Sequence, residues 1–108
     1  MANGAKLAYV RVSTEEQNEA RQVEALKQYD IDKWFIEKVS GKDMNRPKLR
    51  EMLDYAREGD TIYIHDFSRI SRSVADLMTL TKDLQERGIH LKSNKEGFDT
   101  MTPMGRAM

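Results

Sequence analysis

Short apolar runs and amphipathic stretches alternate along this chain, and their order predicts the fold. Segments rich in β-branched, aliphatic and aromatic residues have the character of buried strands. Between them, apolar residues recur every three or four positions, which is the spacing of one buried helix face. The predicted strands are residues 6–12, 33–37, 61–65 and 89–91, and the predicted helices span 15–29, 47–58 and 74–87. This alternation favours an α/β fold: three layers, with helices on both faces of a mostly parallel sheet of about four strands.

Each predicted helix has one face that we expect to be buried against the sheet. The three faces are Ala20, Val23 and Leu26; Leu49, Met52, Leu53 and Ala56; and Val74, Leu77, Leu80, Thr81 and Leu84. Pro47 suits the first position of its helix, where its missing N–H costs nothing, so Arg46 is the expected cap residue.

One charged residue interrupts the apolar pattern of the first strand. Arg11 stands between Val10 and Val12, near the end of a strand that otherwise reads as buried. Burying this charge costs several kcal/mol unless it is paired, so Arg11 either meets an internal carboxylate or receives an anion from a ligand. Ser13 follows at the turn from strand to helix, and a hydroxyl beside an arginine is suited to attack a phosphate.

The overall composition restricts the possible functions only partly. With 18 basic and 18 acidic side chains in 108 residues, the formal net charge is zero, so any sign of a polyanionic partner has to be local. The absence of cysteine excludes disulfides, thiolate catalysis and cysteine-based zinc sites. No long apolar run or signal peptide is present, so we expect no membrane partner.

Arginines are concentrated at one predicted edge of the sheet. In an open parallel sheet, ligands bind beyond the carboxyl ends of the strands, and three loops lie there. These loops carry Arg11, Arg46, Arg69 and Arg72. Because arginine binds phosphate with a planar, bidentate geometry, the pattern suggests phosphoryl transfer with Ser13 as nucleophile.

A run of motifs resembles the serine site-specific recombinases of the resolvase and invertase type. The first is Tyr9–Gln17, which ends the first strand, and Gln22, Gly41, Asn45–Pro47 and Ser68–Ser73 continue the family pattern in order. The similarity covers nearly the whole chain. The Arg-Val-Ser-Thr segment is short, and its combination with the later pair of arginines is a much more specific signature of the family.

This resemblance implies a reaction and a set of site residues. In the family, the serine attacks a DNA backbone phosphate, forms a 5′-phosphoserine link and frees a 3′-hydroxyl, without metal or cofactor. The implied nucleophile is Ser13, and the arginines implied to contact the scissile phosphate are Arg11, Arg69 and Arg72. The implied supporting and phosphate-binding residues are Arg46, Gln17, Gln22 and Ser68. Ser68 stands where many members have aspartate, and Asp66 is a possible compensating acid.

The resemblance also implies a domain organisation. Residues 1–100 would form the catalytic domain, and residues 101–108 would begin a long C-terminal helix that builds the subunit interface. We expect the DNA-binding region to be absent from this chain, which would then be inactive alone and a monomer or weak dimer. The full-length protein would be a cytoplasmic homodimer or tetramer acting on DNA, encoded by a bacterium, phage or mobile element. A resolvase, an invertase, a transposase and a large integrase all fit.

Two alternatives remain open from the residues alone. The first is a non-catalytic, flavodoxin-like domain that uses the arginines to bind an anion or to regulate. The second is a serine hydrolase with His65 near Ser13, although Val12 and Thr14 replace the glycines of the G-x-S-x-G turn. We interpret His65 and His90 as ordinary residues of strand ends, and we expect no metal site.

Overall fold

A sheet with strand order β2-β1-β3-β4-β5 forms the centre of the protein. The computed structural model describes residues 4–13, 19–39, 47–67, 70, 74–95 and 97–99. The strands are β1 (Lys6–Ser13), β2 (Lys33–Val39), β3 (Thr61–Ile64), β4 (His90–Ser93) and β5 (Phe98–Asp99). The first four strands are parallel, as predicted, and β5 adds an antiparallel pair that the sequence pattern did not indicate.

In the described part of the chain, three α-helices connect the parallel strands. They are α1 (Glu19–Leu26), which continues into a 3₁₀ turn over Lys27–Tyr29, α2 (Pro47–Tyr55) and α3 (Val74–Glu86). Pro47 begins α2 as predicted, whereas the expected start of the first helix, at residues 15–18, lies outside the described residues. Within the described ranges, none of the helices combines the length and apolar character needed to cross a membrane.

The sheet is covered on both faces, which makes the fold a three-layer one. Successive residues of a strand point to opposite faces, so alternate residues of β1 enter different clusters. Leu7 and Tyr9 pack with residues of α2 and α3, including Met52 and Leu84. On the other face, Ala8, Val10 and Val12 pack against Leu26 of α1. This burial on both faces explains why β1 is a nearly continuous apolar run.

Two predicted core positions are wrong. Ala20 of α1 and Val74 of α3 are both exposed, the latter by 72%. Both lie in the first turn of their helix, where helical spacing does not tell whether that turn overlaps the sheet. Farther along α3, Leu84 is buried and Leu77 is partly buried, as expected.

Hydrogen bonds to a buried carboxylate fix the amino edge of the sheet. Asp60 accepts the main-chain N–H of Ala5 across 2.7 Å and that of Arg57 across 2.8 Å. Nearby, Gly4 approaches the main chain so closely that an added Cβ would overlap the carbonyl carbon of Gly59. These contacts join the starts of β1 and β3 at the amino edge of the sheet.

Candidate active site

The carboxyl end of β1 lies at the topological switch point of the sheet. β1 has β2 on one side and β3 on the other, and the chain moves from β1 to β2 before it returns to β3. The pairing of β1 with β3 ends at Tyr9 and Ile64, whereas β1 itself continues to Ser13. Ligands of open α/β sheets bind in the crevice at such a point. The last residues of β1, which include Arg11 and Ser13, therefore border the expected ligand crevice.

Arg11 lies beside an acidic residue of the neighbouring strand. Its Cα partner in β2 is Glu37, and Ser13 is the partner of Val39. Partners in a parallel register share a face, so Arg11 and Glu37 lie on the face that α2 and α3 cover. Arg11 itself is partly exposed.

Glu37 is buried and serves as a junction between strands and helix. Its Oε1 accepts the hydroxyl hydrogen of Tyr9 at 2.9 Å and the main-chain N–H of Leu49 at 3.2 Å. Its Oε2 accepts the main-chain N–H of Lys48 at 3.0 Å. The first N–H groups of a helix have no partner within the helix, so this carboxylate satisfies two donors of α2. A negative charge is also favourable at the positive end of a helix.

Gln22 supports the same strand end from the other face of the sheet. Its Nε2 donates to the main-chain carbonyl of Arg11 at 3.1 Å. The side chain is buried, and its Oε1 has no hydrogen-bond partner. This oxygen is the buried side-chain polar atom left unsatisfied in the described part of the chain. Most buried polar side-chain atoms in folded proteins have a hydrogen-bond partner, so this unsatisfied acceptor calls for an explanation.

Hydrogen bonds also hold the residues that directly follow β3, at its carboxyl end. His65 Nδ1 lies 3.0 Å from Oδ2 of Asp66, whose side chain is buried. The main-chain N–H of Lys95 binds the carbonyl of His65 at 2.8 Å. These bonds fix the start of the segment that leads, in sequence, to the predicted arginine pair. Among the described residues, no group of three or more His, Asp or Glu side chains could hold a metal ion.

The structure brings together part of the predicted site. Arg11 and Ser13 belong to the last residues of β1, and Gln22 donates a hydrogen bond to the main-chain carbonyl of Arg11. The remaining predicted site residues lie outside the described residues: Gln17, Arg46, Ser68, Arg69 and Arg72.

The sequence analysis missed the junction of Tyr9 with Glu37. A signal was present, because Glu37 is an acid at the end of an aromatic, apolar strand, much as Arg11 is a base in an apolar strand. The parallel register of β1 and β2 supplies the missing information, since it places these two charged residues side by side.

Known proteins resemble this chain over most of its length. A family model described as "Resolvase, N terminal domain" matches residues 6–108. The resolvase of transposon Tn917 from Enterococcus faecalis is 45% identical over 98 residues, which make up 91% of this chain and 53% of that protein. The DNA-invertase hin from Salmonella typhimurium is 41% identical over 102 residues, or 94% of this chain and 54% of that protein. The chain thus spans about half the length of these relatives.

Two solved structures have a fold similar to that of this chain. The N-terminal catalytic domain of TP901-1 integrase matches with a TM-score of 0.77 at 28% identity, covering 94% of this chain and 86% of that chain. The catalytic domain of ISC1926 TnpA, an IS607-like serine recombinase, shares the fold, with a TM-score of 0.70 at 18% identity. That match covers 83% of this chain and 67% of the other. Together with the family match over residues 6–108, these findings place the chain in the resolvase N-terminal domain family.

Proposed function

We propose that this chain is the catalytic domain of a serine site-specific recombinase, which cleaves and rejoins DNA strands through a covalent 5′-phosphoserine intermediate. The observation that carries the proposal is the end of β1. There, a partly exposed arginine interrupts a strand that is buried on both faces, and Ser13 follows at the switch point of the sheet. Family membership supports the same conclusion independently of this geometry.

The proposed cleavage step exchanges one phosphate ester for another. The Ser13 oxygen forms a bond to the phosphorus as the bond from phosphorus to the 3′ oxygen breaks. The proton leaves the serine hydroxyl, and the departing 3′ oxygen gains a proton. The phosphate stays esterified throughout, so a freed 3′-hydroxyl of another strand can reverse the step and rejoin the DNA. The chemistry uses protein groups alone, without cofactor or metal.

The arginines would stabilise the charge that develops on the phosphate oxygens. In this proposal Arg11, Arg69 and Arg72 contact the scissile phosphate, and Arg46 adds a further phosphate contact. Three side chains support the geometry, with Gln22 holding the main chain at Arg11. These three are Gln17, Gln22 and Ser68.

The proposed partners are DNA and further copies of the same protein. We propose that residues 1–100 form the catalytic domain. Residues 101–108, which lie outside the described residues, are proposed to begin the helix through which subunits associate into dimers and tetramers. The cognate site is read by parts of the protein other than residues 1–100. The relatives named above include a transposon resolvase and a DNA-invertase, so we place this protein on a mobile element, with the cytoplasm as its site of action.

Capture of covalent complexes tests this function. The complete product of the reading frame is incubated with sheared DNA from the replicon that carries the gene, denatured in detergent and recovered through an affinity tag. We expect one DNA sequence to be enriched, joined to the protein through its 5′ phosphate. Ser13→Ala is expected to abolish this adduct, while Ser93→Ala, at the end of a different strand, controls for loss of a serine. An adduct retained in Ser13→Ala would refute the assigned nucleophile.

A further inference from the structure

Charged side chains at the carboxyl ends of the parallel strands differ in burial according to their sign. Among the described residues, the acids at these strand ends are Glu37 and Asp66, and both are buried. The basic side chains there reach solvent, since Lys38 and Lys95 are exposed and Arg11 is partly exposed. The strand ends themselves therefore present basic groups to solvent, although the net charge of the whole chain is zero.

The amino ends of the strands carry accessible charges of both signs. Asp32 and Lys33, beside and at the start of β2, are both exposed. Lys6, at the start of β1, is partly exposed, and its main-chain N–H donates to the Asp32 carboxylate at 2.8 Å. Compared with these amino ends, the carboxyl ends offer the more favourable surface to a polyanion such as DNA.

Lys95 lies in the turn after β4, and hydrogen bonds hold its main chain in place. Its N–H donates to the carbonyl of His65 at 2.8 Å, and the N–H of Asn94 donates to the carbonyl of Ile64 at 2.9 Å. These two bonds extend the pairing of β4 with β3 beyond the ends of both strands. The Tyr29 hydroxyl also donates to Oδ1 of Asn94 at 2.7 Å. The main chain of Lys95 is thus fixed at the carboxyl edge, while its side chain is exposed.

The ammonium group of Lys95 makes no ion pair with the described residues. Lys27 differs in this respect, because its Nζ lies 3.6 Å from a carboxylate oxygen of Glu24. Lysine binds phosphate as a point charge, without the planar geometry that arginine requires. An exposed lysine on a fixed main chain is therefore suited to contact a phosphate of the DNA backbone.

The position of Lys95 relative to Ser13 suits contact with the same DNA molecule. β4 is the second neighbour of β1 in the sheet, with β3 between them. Neighbouring strands lie about 4.8 Å apart, so β1 and β4 are separated by about 10 Å across the sheet. Each strand of a DNA duplex carries one phosphate per about 3.4 Å of helix axis. A duplex whose scissile phosphate meets Ser13 therefore has other phosphates at this distance.

We propose that Lys95 binds a backbone phosphate of the DNA beside the cleavage site, and that it contributes to binding and not to the chemical step. The inference rests on the proposed function, because the attack of Ser13 on a phosphate places the DNA at this edge. Neutralising a phosphate releases the cations condensed around it, so the contribution of Lys95 to affinity should decrease as the salt concentration rises. Contacts to the backbone position the DNA without reading its sequence.

Equilibrium binding at several salt concentrations tests this contact. The complete product of the reading frame, in the Ser13→Ala background so that no adduct forms, is titrated with a duplex that carries the sequence recovered with the Ser13 adduct. The slope of the logarithm of affinity against the logarithm of salt concentration reports the number of neutralised phosphates. For Lys95→Gln we expect this slope to decrease in magnitude by about 0.9 for each bound subunit. The affinity at about 0.1 M salt should fall about 3- to 10-fold.

The adduct rate separates binding from chemistry. With Ser13 present, we expect Lys95→Gln to form the adduct at saturating duplex within about twofold of the wild-type rate. The melting temperature should also be unchanged, because the side chain of Lys95 is exposed. A substantially slower adduct rate at saturating duplex would contradict a role confined to binding.

Lys27→Gln is the matched control, since it removes one positive charge from an exposed lysine in the 3₁₀ turn that follows α1. We expect this variant to keep the wild-type salt slope and affinity, and Lys95→Arg, which retains the charge, to keep the slope as well. The inference is overturned if Lys95→Gln keeps the wild-type slope, or if Lys27→Gln lowers it as much. Failure of the wild-type protein to form any adduct would instead overturn the proposed function.

Discussion

Gln22 donates its side-chain amide to the main-chain carbonyl of Arg11 across 3.1 Å, and this bond ties α1 to the end of β1. The same side chain is only 1% exposed and keeps its Oε1 unsatisfied among the described residues. An unsatisfied buried acceptor costs roughly 1–3 kcal/mol, so an apolar residue would serve stability about as well. The glutamine is therefore explained better by what it does for Arg11 than by the stability of the core.

Gln22→Met tests this interpretation directly. The change removes the unsatisfied Oε1, which favours folding, and also removes the bond to Arg11, which opposes it. We expect the free energy of unfolding, measured in urea, to change by less than about 1 kcal/mol. The rate of adduct formation should fall at least about tenfold, because the main chain at Arg11 loses its anchor.

Gln28→Met is the matched control for that experiment. The Nε2 of Gln28 also donates to a main-chain carbonyl, that of Ala25 at 2.9 Å, but on the exposed surface of the protein. We expect wild-type stability and a wild-type adduct rate for this variant. Equal adduct rates for Gln22→Met and the wild type would remove Gln22 from the supporting residues.

Arg11→Lys separates the charge at position 11 from its geometry. Lysine keeps the positive charge but loses the planar arrangement of donors that matches a phosphate. Removing a preorganised donor of this kind lowers the rate by about 10²–10³-fold, and we expect this decrease in the adduct assay. Arg57→Lys is the control, since the Arg57 guanidinium binds the carbonyl of Asp54 at the C-terminal end of α2. A wild-type adduct rate in Arg11→Lys would contradict a phosphate contact.

The order of strands and helices could be predicted from the sequence because local patterns determine it. β1 is buried on both faces and therefore reads as an apolar run, and Pro47 marks the start of α2. The short β5 could not be predicted in this way. It consists of Phe98 and Asp99 and exists only through pairing with β4.

Part of the candidate site was predictable for a different reason. Arg11 and Ser13 attract notice because a charge and a hydroxyl end an apolar strand, and the rule for parallel sheets then places them at a ligand crevice. The role of Glu37 depends on the register of β2 against β1 and on the approach of α2. Both are tertiary relationships, so no pattern within a short segment contains them.

Tyr29→Phe tests the contact between the 3₁₀ turn after α1 and Asn94, the residue that follows β4. The Tyr29 hydroxyl donates to Oδ1 of Asn94 at 2.7 Å, while its ring stacks on Tyr63 with centroids 4.7 Å apart. Loss of the hydroxyl removes the hydrogen bond and leaves the stacking, so we expect a loss of about 0.5–1.5 kcal/mol in thermal or urea unfolding. Tyr55→Phe, at a side chain that is 45% exposed, should change stability by less than about 0.5 kcal/mol. Equal losses in the two variants would show that the Asn94 bond contributes nothing.

Truncating two apolar side chains of α3 to alanine should change the free energy of unfolding by very different amounts. Leu84 is buried against the sheet, whereas Met78 is 61% exposed and lines an apolar groove of about 740 Å³. Leu84→Ala leaves a cavity in the core, so we expect the free energy of unfolding to fall by about 2–5 kcal/mol. Met78→Ala removes a side chain that water already reaches, and the expected change is below about 0.5 kcal/mol. Urea unfolding of this chain measures both variants, and a loss at Met78 as large as that at Leu84 would mean that the groove is covered in solution.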